Sequence, residues 1–295
     1  MKKTFKRLVM AVAALAVVTA MPFMSAWDSD HPEAVITISY NGNDYELKYK
    51  LYRNMYPQTV RHFIELADAG FYNGTIIHSY SSSYLYGGGY TYNAESYESD
   101  YETDYEDGEG AMREYFQANS KESAYLDLFN SGALTPSVYT DYIEDHYIGK
   151  LPTVIGEVGD THVIQNGKLT GGFGALRMYY SDKELEADDI VYLDKDGNPD
   201  GAIFDDYLEH SATSMFSIQT NTTAGSTSYC IFGLLVETQA LTDLTAAIAK
   251  ASTLRVEDVE IDQYDAVISD RYTNYASYTV TSLPIVIKSV EITRY

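Results

Sequence analysis

The sequence predicts a mainly β fold in which antiparallel strands close into a barrel with two short helices. Most apolar segments are short and alternate with polar residues, which is the pattern of strands with one buried face. Outside two insertions, helical spacing is confined to two segments. Because helices do not alternate regularly with the strands, a parallel α/β sheet is not favoured.

The structured part of the chain begins with a predicted hairpin. Residues 34–40 and 45–51 alternate apolar and polar side chains on either side of Asn41-Gly42. Asn-Gly adopts the positive φ angles of a two-residue hairpin turn at low cost. We therefore predict two paired strands here.

A helix is predicted to follow, from Pro57 to Gly70. Proline suits the first helical turn, where no N–H is needed, and glycine suits the left-handed position at a helix end. Helical spacing places four apolar residues on one face: Val60, Phe63, Ile64 and Ala67. We expect this face to pack against the sheet.

Later segments supply the remaining elements of the barrel. Strand-like patterns occur at residues 153–158, 175–180, 214–220, 229–236, 278–282 and 285–293. A second helix is predicted at 241–251, where Leu241, Leu244 and Ile248 share one side.

Residues 90–151 are predicted to be an insertion. A repeat of tyrosine and acidic residues fills 97–107, and its composition favours a solvated segment with little fixed structure. A helix-like stretch richer in apolar residues follows at 112–129.

Residues 181–211 are predicted to be a second insertion, containing a hairpin with Asp196-Gly197 at its turn. Both insertions are assigned to one domain that spans residues 31–295.

The N-terminus predicts a signal peptide over residues 1–26. An apolar run at 8–18 is too short for a comfortable membrane span, and small residues allow cleavage after Ala20 or Ala26. Four basic residues precede the run: Lys2, Lys3, Lys6 and Arg7. No lipoprotein cysteine follows it. We expect export to the cell envelope or the extracellular space.

Charge and cysteine content restrict the chemistry further. The formal net charge is -23, which disfavours nucleic acid and anionic lipid as partners because both need clustered basic residues. Cys230 is the single cysteine, so no intramolecular disulfide can form. Its apolar neighbours predict a buried thiol.

Six segments, in order along the chain, resemble cyclophilin-type peptidyl-prolyl isomerases. The most specific is 56–89, in which a helix leads through Gly70-Phe71-Tyr72-Asn73-Gly74 and Ile77-His78 to three glycines. The other five segments are 31–38, 153–157, 174–178, 214–218 and 232–237. The resemblance implies an eight-stranded closed antiparallel barrel, capped by a helix at each end, that isomerises prolyl peptide bonds.

The substitutions fall where the family performs this chemistry. In the family, an arginine donates hydrogen bonds that favour the twisted amide over the planar one. Residue-by-residue comparison puts Ser79 at the arginine position and Gly87 and Met215 at two glutamine positions. The pocket phenylalanine becomes Ser217 and a histidine becomes Tyr229. The resemblance therefore implies weak or lost catalysis.

Part of the substrate groove keeps suitable residues. Tyr84 replaces a phenylalanine of the family and Leu85 replaces a methionine. Arg177 replaces a serine that in the family lies behind the pocket phenylalanine. Because that phenylalanine is Ser217 here, we hypothesise that the Arg177 guanidinium passes through the vacated volume towards the groove. The alternative is that Arg177 points outward or pairs with an acid.

The sequence predicts an exported protein of this family that acts on proline-containing segments, with isomerase activity weak or lost. The alternative is a non-catalytic module that binds such segments with the groove and the acidic insertion. A lower-ranked third reading is a weak calcium or basic-protein partner at the acidic repeat, residues 95–109. No cofactor and no metal site is predicted from the motifs.

Overall fold

A computed structural model describes residues 30–102, 105–136, 138–140, 149–150, 154–155, 157, 169–178, 190–193, 199–203, 211–223, 230–263 and 272–295. The predicted signal peptide, the Asp196-Gly197 turn and Tyr229 lie outside the described residues. No helix among the described residues is long and apolar enough to cross a membrane.

The helices are α1 Pro57–Asp68, α2 Ala94–Glu102, α3 Tyr105–Ala118, α4 Glu122–Asn130 and α5 Gln239–Ile248. The strands are β1 Glu33–Tyr40, β2 Asn43–Leu51, β3 Thr75–Ile76, β4 Ser79–Tyr80, β5 Tyr84–Gly87, β6 Val138–Thr140, β7 Gly149–Lys150, β8 Val154–Ile155, β9 Leu176–Met178, β10 Ile190–Leu193, β11 Pro199–Ile203, β12 Ser211–Ala212, β13 Phe216–Gln219, β14 Ile231–Leu235, β15 Thr253–Gln263, β16 Tyr272–Thr281 and β17 Val286–Arg294.

The main sheet has nine strands in the order β3-β17-β1-β2-β14-β9-β13-β5-β4, with antiparallel pairs. Its end strands β3 and β4 belong to one segment, residues 75–80. The Ile77 N–H donates to the carbonyl of Ile285 on one side, and the His78 N–H donates to that of Tyr86 on the other. The sheet therefore curls back on itself, and the predicted mainly β, barrel-like fold is confirmed.

The first hairpin forms as predicted. Asn41 and Gly42 have φ angles of 49° and 75°, as the turn requires, and the pairing of β1 with β2 runs from Tyr40↔Asn43 to Glu33↔Lys50. The inward positions of both strands, among them Ile36, are buried, except that Tyr45 is partly buried.

Helix α1 also begins and ends where the sequence predicts. Pro57 lies in its first turn, and Gly70 has a φ of 68° just after its end. The predicted apolar face is buried against the barrel. Helices α1 and α5 thus supply the two helices expected of the barrel, since Leu241, Leu244 and Ile248 of α5 are buried too.

A second hydrophobic cluster lies beside the barrel, and we call it the side cluster. It joins α2 and α3 to the β15–β16 hairpin. Its buried members are Ile76, Tyr90, Tyr97, Met112, Tyr115, Phe116, Leu254, Val256, Val259, Tyr278 and Val280. Ile76 is the last residue of β3 and Tyr90 follows β5, so the side cluster is attached to the sheet at these points.

The acidic repeat is ordered where it is described, and the expectation of little fixed structure is wrong there. Residues 94–102 form α2. Tyr97 is 1% exposed and its hydroxyl donates to the Thr281 carbonyl at 2.6 Å, while its ring stacks on Tyr101 with centroids 6.4 Å apart. Burial of one tyrosine face offsets the cost of ordering an acidic segment.

The two predicted insertions share a four-stranded sheet of order β11-β10-β6-β7. Strands β10 and β11 pair antiparallel, as the predicted hairpin of the second insertion requires, and β10 also pairs with β6 of the first. Cys230 is 1% exposed, which confirms its predicted burial.

Candidate functional site

Four strands of the main sheet place a row of side chains on the face away from the barrel core. Ser79 lies opposite Tyr86, Tyr86 opposite Ser217, and Ser217 opposite Arg177. Directly opposed residues of antiparallel strands point to the same face. We call these four residues the outer row.

Arg177 lies at one end of the outer row, against aromatic and hydroxyl groups. Its Nε donates to the Ser217 Oγ at 3.0 Å, and its Cζ lies 3.7 Å from the centroid of the Tyr84 ring. The residue is 3% exposed, so the guanidinium is largely removed from water. A desolvated cation over a tyrosine ring gains about 2 kcal/mol. The structure thus brings together Arg177, Ser217 and Tyr84, as hypothesised, while a catalytic role for Arg177 stays a prediction.

Ser79 lies at the other end of the outer row, under β16. It is 9% exposed, and its Oγ accepts the N–H of Thr279 at 3.2 Å. The position therefore holds a hydrogen bond between the barrel and the β15–β16 hairpin. A hydroxyl fits this contact, whereas an arginine would have to pass the backbone of β16.

Sequence comparison places this chain in a known family. The family model for cyclophilin type peptidyl-prolyl cis-trans isomerase/CLD matches residues 35–266, which is most of the chain. The chain belongs to the cyclophilin family. The six resemblances found in the sequence are therefore confirmed at the level of the family.

Solved cyclophilins resemble the chain at low identity. A cyclophilin type isomerase of Cryptosporidium parvum has a TM-score of 0.40 at 14% identity, covering 90% of this chain and 99% of that one. The same protein with the dipeptide Ala-Pro has a TM-score of 0.39 at 14% identity, covering 88% and 99%. The Mimivirus cyclophilin has a TM-score of 0.38 at 12% identity, covering 88% and 91%. Among curated proteins, no sequence is found to match.

Two positions predicted to line the cyclophilin groove face the core instead. Leu85 is 0% exposed within the barrel core, and a Cβ on Gly87 would lie 2.9 Å from the Cδ1 atoms of Ile77 and Ile287. Because side chains alternate along β5, Tyr84 and Tyr86 take the outer face. The assignment of Leu85 and Gly87 to the groove is therefore wrong for this structure.

Met215 is placed near the side cluster. A Cβ built on Gly89 would lie 2.5 Å from the Met215 Cε, so this side chain covers the Gly89 backbone. It also packs against the side cluster. Met215 is therefore a packing residue in this structure, and no described contact joins it to Arg177 or Tyr84.

Sequence reasoning missed Gln219, which lies opposite Tyr84 on β13. Gln219 is 0% exposed, and its Nε2 donates to the Asn221 Oδ1 at 2.7 Å. Asn221 Nδ2 in turn donates to the Ser83 Oγ at 2.8 Å. These bonds tie the loop before Tyr84 to the end of β13. The alternation Ser217, Gln219 on β13 was the signal that could have revealed it.

His78, which precedes Ser79, is a packing residue here. It is 3% exposed, and its ring centroid lies 4.7 Å from that of Tyr278 and 5.1 Å from that of Tyr90. Burial lowers the pKa of His78 to about 3, so the ring is neutral near pH 7.

The described residues form no candidate metal site. Within the described ranges, no group of three or more His, Cys, Asp and Glu residues could hold a metal ion. The weak calcium or basic-protein partner at residues 95–109 stays a prediction, since most side chains of that stretch lie outside the described residues.

Proposed function

We propose that this cyclophilin-family protein is exported and acts on extracytoplasmic proline-containing polypeptides, with isomerase turnover weak or lost. The basic, apolar and small-residue order of its first 26 residues supports export. Membership of the family supports the substrate class.

One observation carries the weak-turnover part of the proposal. Ser79 stands at the position of the family's arginine, and its Oγ already accepts the Thr279 N–H at 3.2 Å. Isomerisation must overcome a barrier of about 18–20 kcal/mol set by amide resonance. Loss of one preorganised donor costs about 10²- to 10³-fold in rate in other enzymes.

Arg177 is the one cation of the outer row and the candidate replacement for that donor. Its guanidinium lies against Tyr84 on the outer face, and Arg177 is three strands away from Ser79 along the outer row. Its Nε is held by Ser217, and little of the side chain reaches solvent. A substrate carbonyl would have to displace these contacts, which favours weak rather than efficient catalysis.

A protease-coupled prolyl-peptide assay on the mature protein tests this proposal. We expect turnover at least about 10²-fold below that of an active cyclophilin, because the transition-state donor is missing. Any residual turnover is expected to disappear in Arg177→Ala and to persist in Arg113→Ala, which changes an arginine of α3 that donates to the Glu257 carbonyl. Turnover comparable with an active cyclophilin, unaffected by Arg177→Ala, would contradict the proposal.

A second candidate function is binding of proline-containing segments without catalysis. The position of Tyr84 favours this function, because its ring is half-buried and one face packs against the Arg177 guanidinium. Aromatic faces are suitable surfaces for apolar rings such as proline.

Tyr84→Ala is expected to weaken binding of a proline peptide at least 10-fold, measured by calorimetry, while Tyr45→Ala on the first hairpin leaves it unchanged. Equal affinity of wild type and Tyr84→Ala would exclude the outer face as the binding surface.

A further inference from the structure

His78 and Ser79 of the barrel contact Tyr278 and Thr279 of the β15–β16 hairpin. The His78 ring packs against the Tyr278 ring, and the Ser79 Oγ accepts the Thr279 N–H. The hydroxyls of Tyr90 and Tyr278 lie 3.0 Å apart and are hydrogen-bonded. The contact between β16 and the barrel thus includes a group of aromatic rings with the His78 imidazole among them.

The surroundings of His78 suit only the neutral form of the imidazole. Its Nδ1 is buried and has no hydrogen-bond partner among the described residues. The titratable groups facing it are Tyr90, after β5, and Tyr278 on β16, while β5 contributes the Tyr86 carbonyl that accepts the His78 N–H. From α3, Phe116 covers both tyrosines. No described carboxylate contacts the imidazole.

We propose that the β15–β16 hairpin is an acid-released cover over the barrel face that carries Ser79, and that protonation of His78 releases it. A proton on the docked imidazole would place a charge among aromatic rings, whereas water solvates that charge once the hairpin leaves. The inference rests on the proposed function, because the covered face belongs to the proposed polypeptide-binding region. Release itself can be measured without a polypeptide.

The direction of the effect follows from proton linkage. An undocked histidine has a pKa of about 6.5, and the docked ring binds its proton much more weakly. The equilibrium constant for docking of the hairpin is therefore at its full value above about pH 6.5. It falls by up to about tenfold for each pH unit below that value. The lowered pKa of His78 agrees with this geometry.

Amide hydrogen exchange of the mature protein tests the inference. Exchange rates at pH 7 and pH 5, each divided by its intrinsic rate, are compared for the amides of β16 and β1. We expect protection of β16 to fall about 30-fold relative to β1. In His78→Phe, and in His78→Leu as a second variant, the fall is expected to be less than threefold.

His62→Gln is the matched control, because His62 is also buried but lies in the barrel, with its Nε2 2.8 Å from the Thr213 carbonyl. This variant should keep the pH-dependent loss at β16. An equal loss in wild type and both His78 variants, or no loss in wild type, would overturn the inference.

Peptide binding measured on the same samples separates the two proposals. If the hairpin covers the site, wild type binds a proline peptide more tightly at pH 5 than at pH 7, and His78→Phe binds equally at both. Affinity that is unchanged while β16 is released shows that the hairpin is no cover. Absence of binding at both pH values, with release intact, removes the proposed function instead.

Discussion

Glu157 shows how one buried carboxyl group fixes the start of α1. Tyr56, at the helix N-cap, makes no side-chain capping hydrogen bond to the helix. The Glu157 carboxylate instead accepts the N–H groups of Gln58 and Thr59, at 3.1 and 2.8 Å. Burial raises the pKa of Glu157 to about 7, although these two donors oppose the rise. The folded protein therefore binds this proton more tightly than the unfolded chain does.

A pH dependence of stability follows from Glu157. Between about pH 4.5 and pH 7 the folded state alone retains this proton, so the free energy of unfolding falls as pH rises. Glu157→Gln is expected to remove up to about 3 kcal/mol of this fall, measured by denaturant unfolding across that range. Glu46→Gln, at an exposed position of β2, should leave the slope unchanged. A constant difference between wild type and Glu157→Gln at every pH would refute the linkage.

At the scale of elements, β15 departs from regular alternation in its middle. Its register with β16 shifts between Val256 and Val259, and Asp258 has a φ of 54°. The extra residue of this bulge lets Val256 and Val259 both reach the side cluster. The bulge also interrupts the alternation of apolar and polar residues by which a strand is recognised in sequence. This explains why the sequence predicted only residues 278–282 of this hairpin.

The bulge makes a stability prediction at Asp258, which is exposed. Asp258→Gly should be neutral or slightly stabilising, because glycine adopts positive φ freely. Asp258→Val should cost about 1–2 kcal/mol in the free energy of unfolding, because a β-branched side chain is strained there. Thr253→Val, on the same strand and also exposed, serves as the control. Equal stability of the glycine and valine variants would mean that the left-handed geometry is not retained in solution.

The elements that sequence patterns predicted are those whose stabilisation is local. Asn41-Gly42 determines the first hairpin, and Pro57 with Gly70 determines α1. Helix α2 was missed because its acidic composition outweighed a four-residue tyrosine period, Tyr97 and Tyr101, that also suits a helix face. Its order depends on contacts with β16, about 180 residues later, which no local pattern contains.

Only part of the site was predictable from the sequence. Comparison with the family placed Arg177 beside Ser217, because a lost phenylalanine leaves space between neighbouring strands. The contact of Ser79 with Thr279 was not predictable, since it depends on the docking of the unpredicted hairpin. Leu85 was misplaced because family matching gives the position of a residue but not the face of its strand.

At the scale of the whole molecule, two hydrophobic clusters divide the described core. The barrel cluster includes Phe63, whose ring contacts Tyr72, Phe216 and Phe232. The side cluster includes Phe116, which is 0% exposed and packs against Tyr90, Tyr115 and Tyr278. Among the described residues, the two clusters share no buried member, so we expect the side cluster to lose order while the barrel persists.

Cavity-forming substitutions in the two clusters should therefore destabilise different parts of the structure. Phe116→Ala removes a buried ring and costs about 3–5 kcal/mol locally, so hydrogen exchange should speed up at β16 amides and stay slow at β1 amides. Phe63→Ala is expected to speed up exchange in β1 and β16 together, because the side cluster is built on the barrel. If Phe116→Ala accelerates exchange in β1 as much as in β16, the two clusters unfold as one unit and the hairpin cannot be released separately.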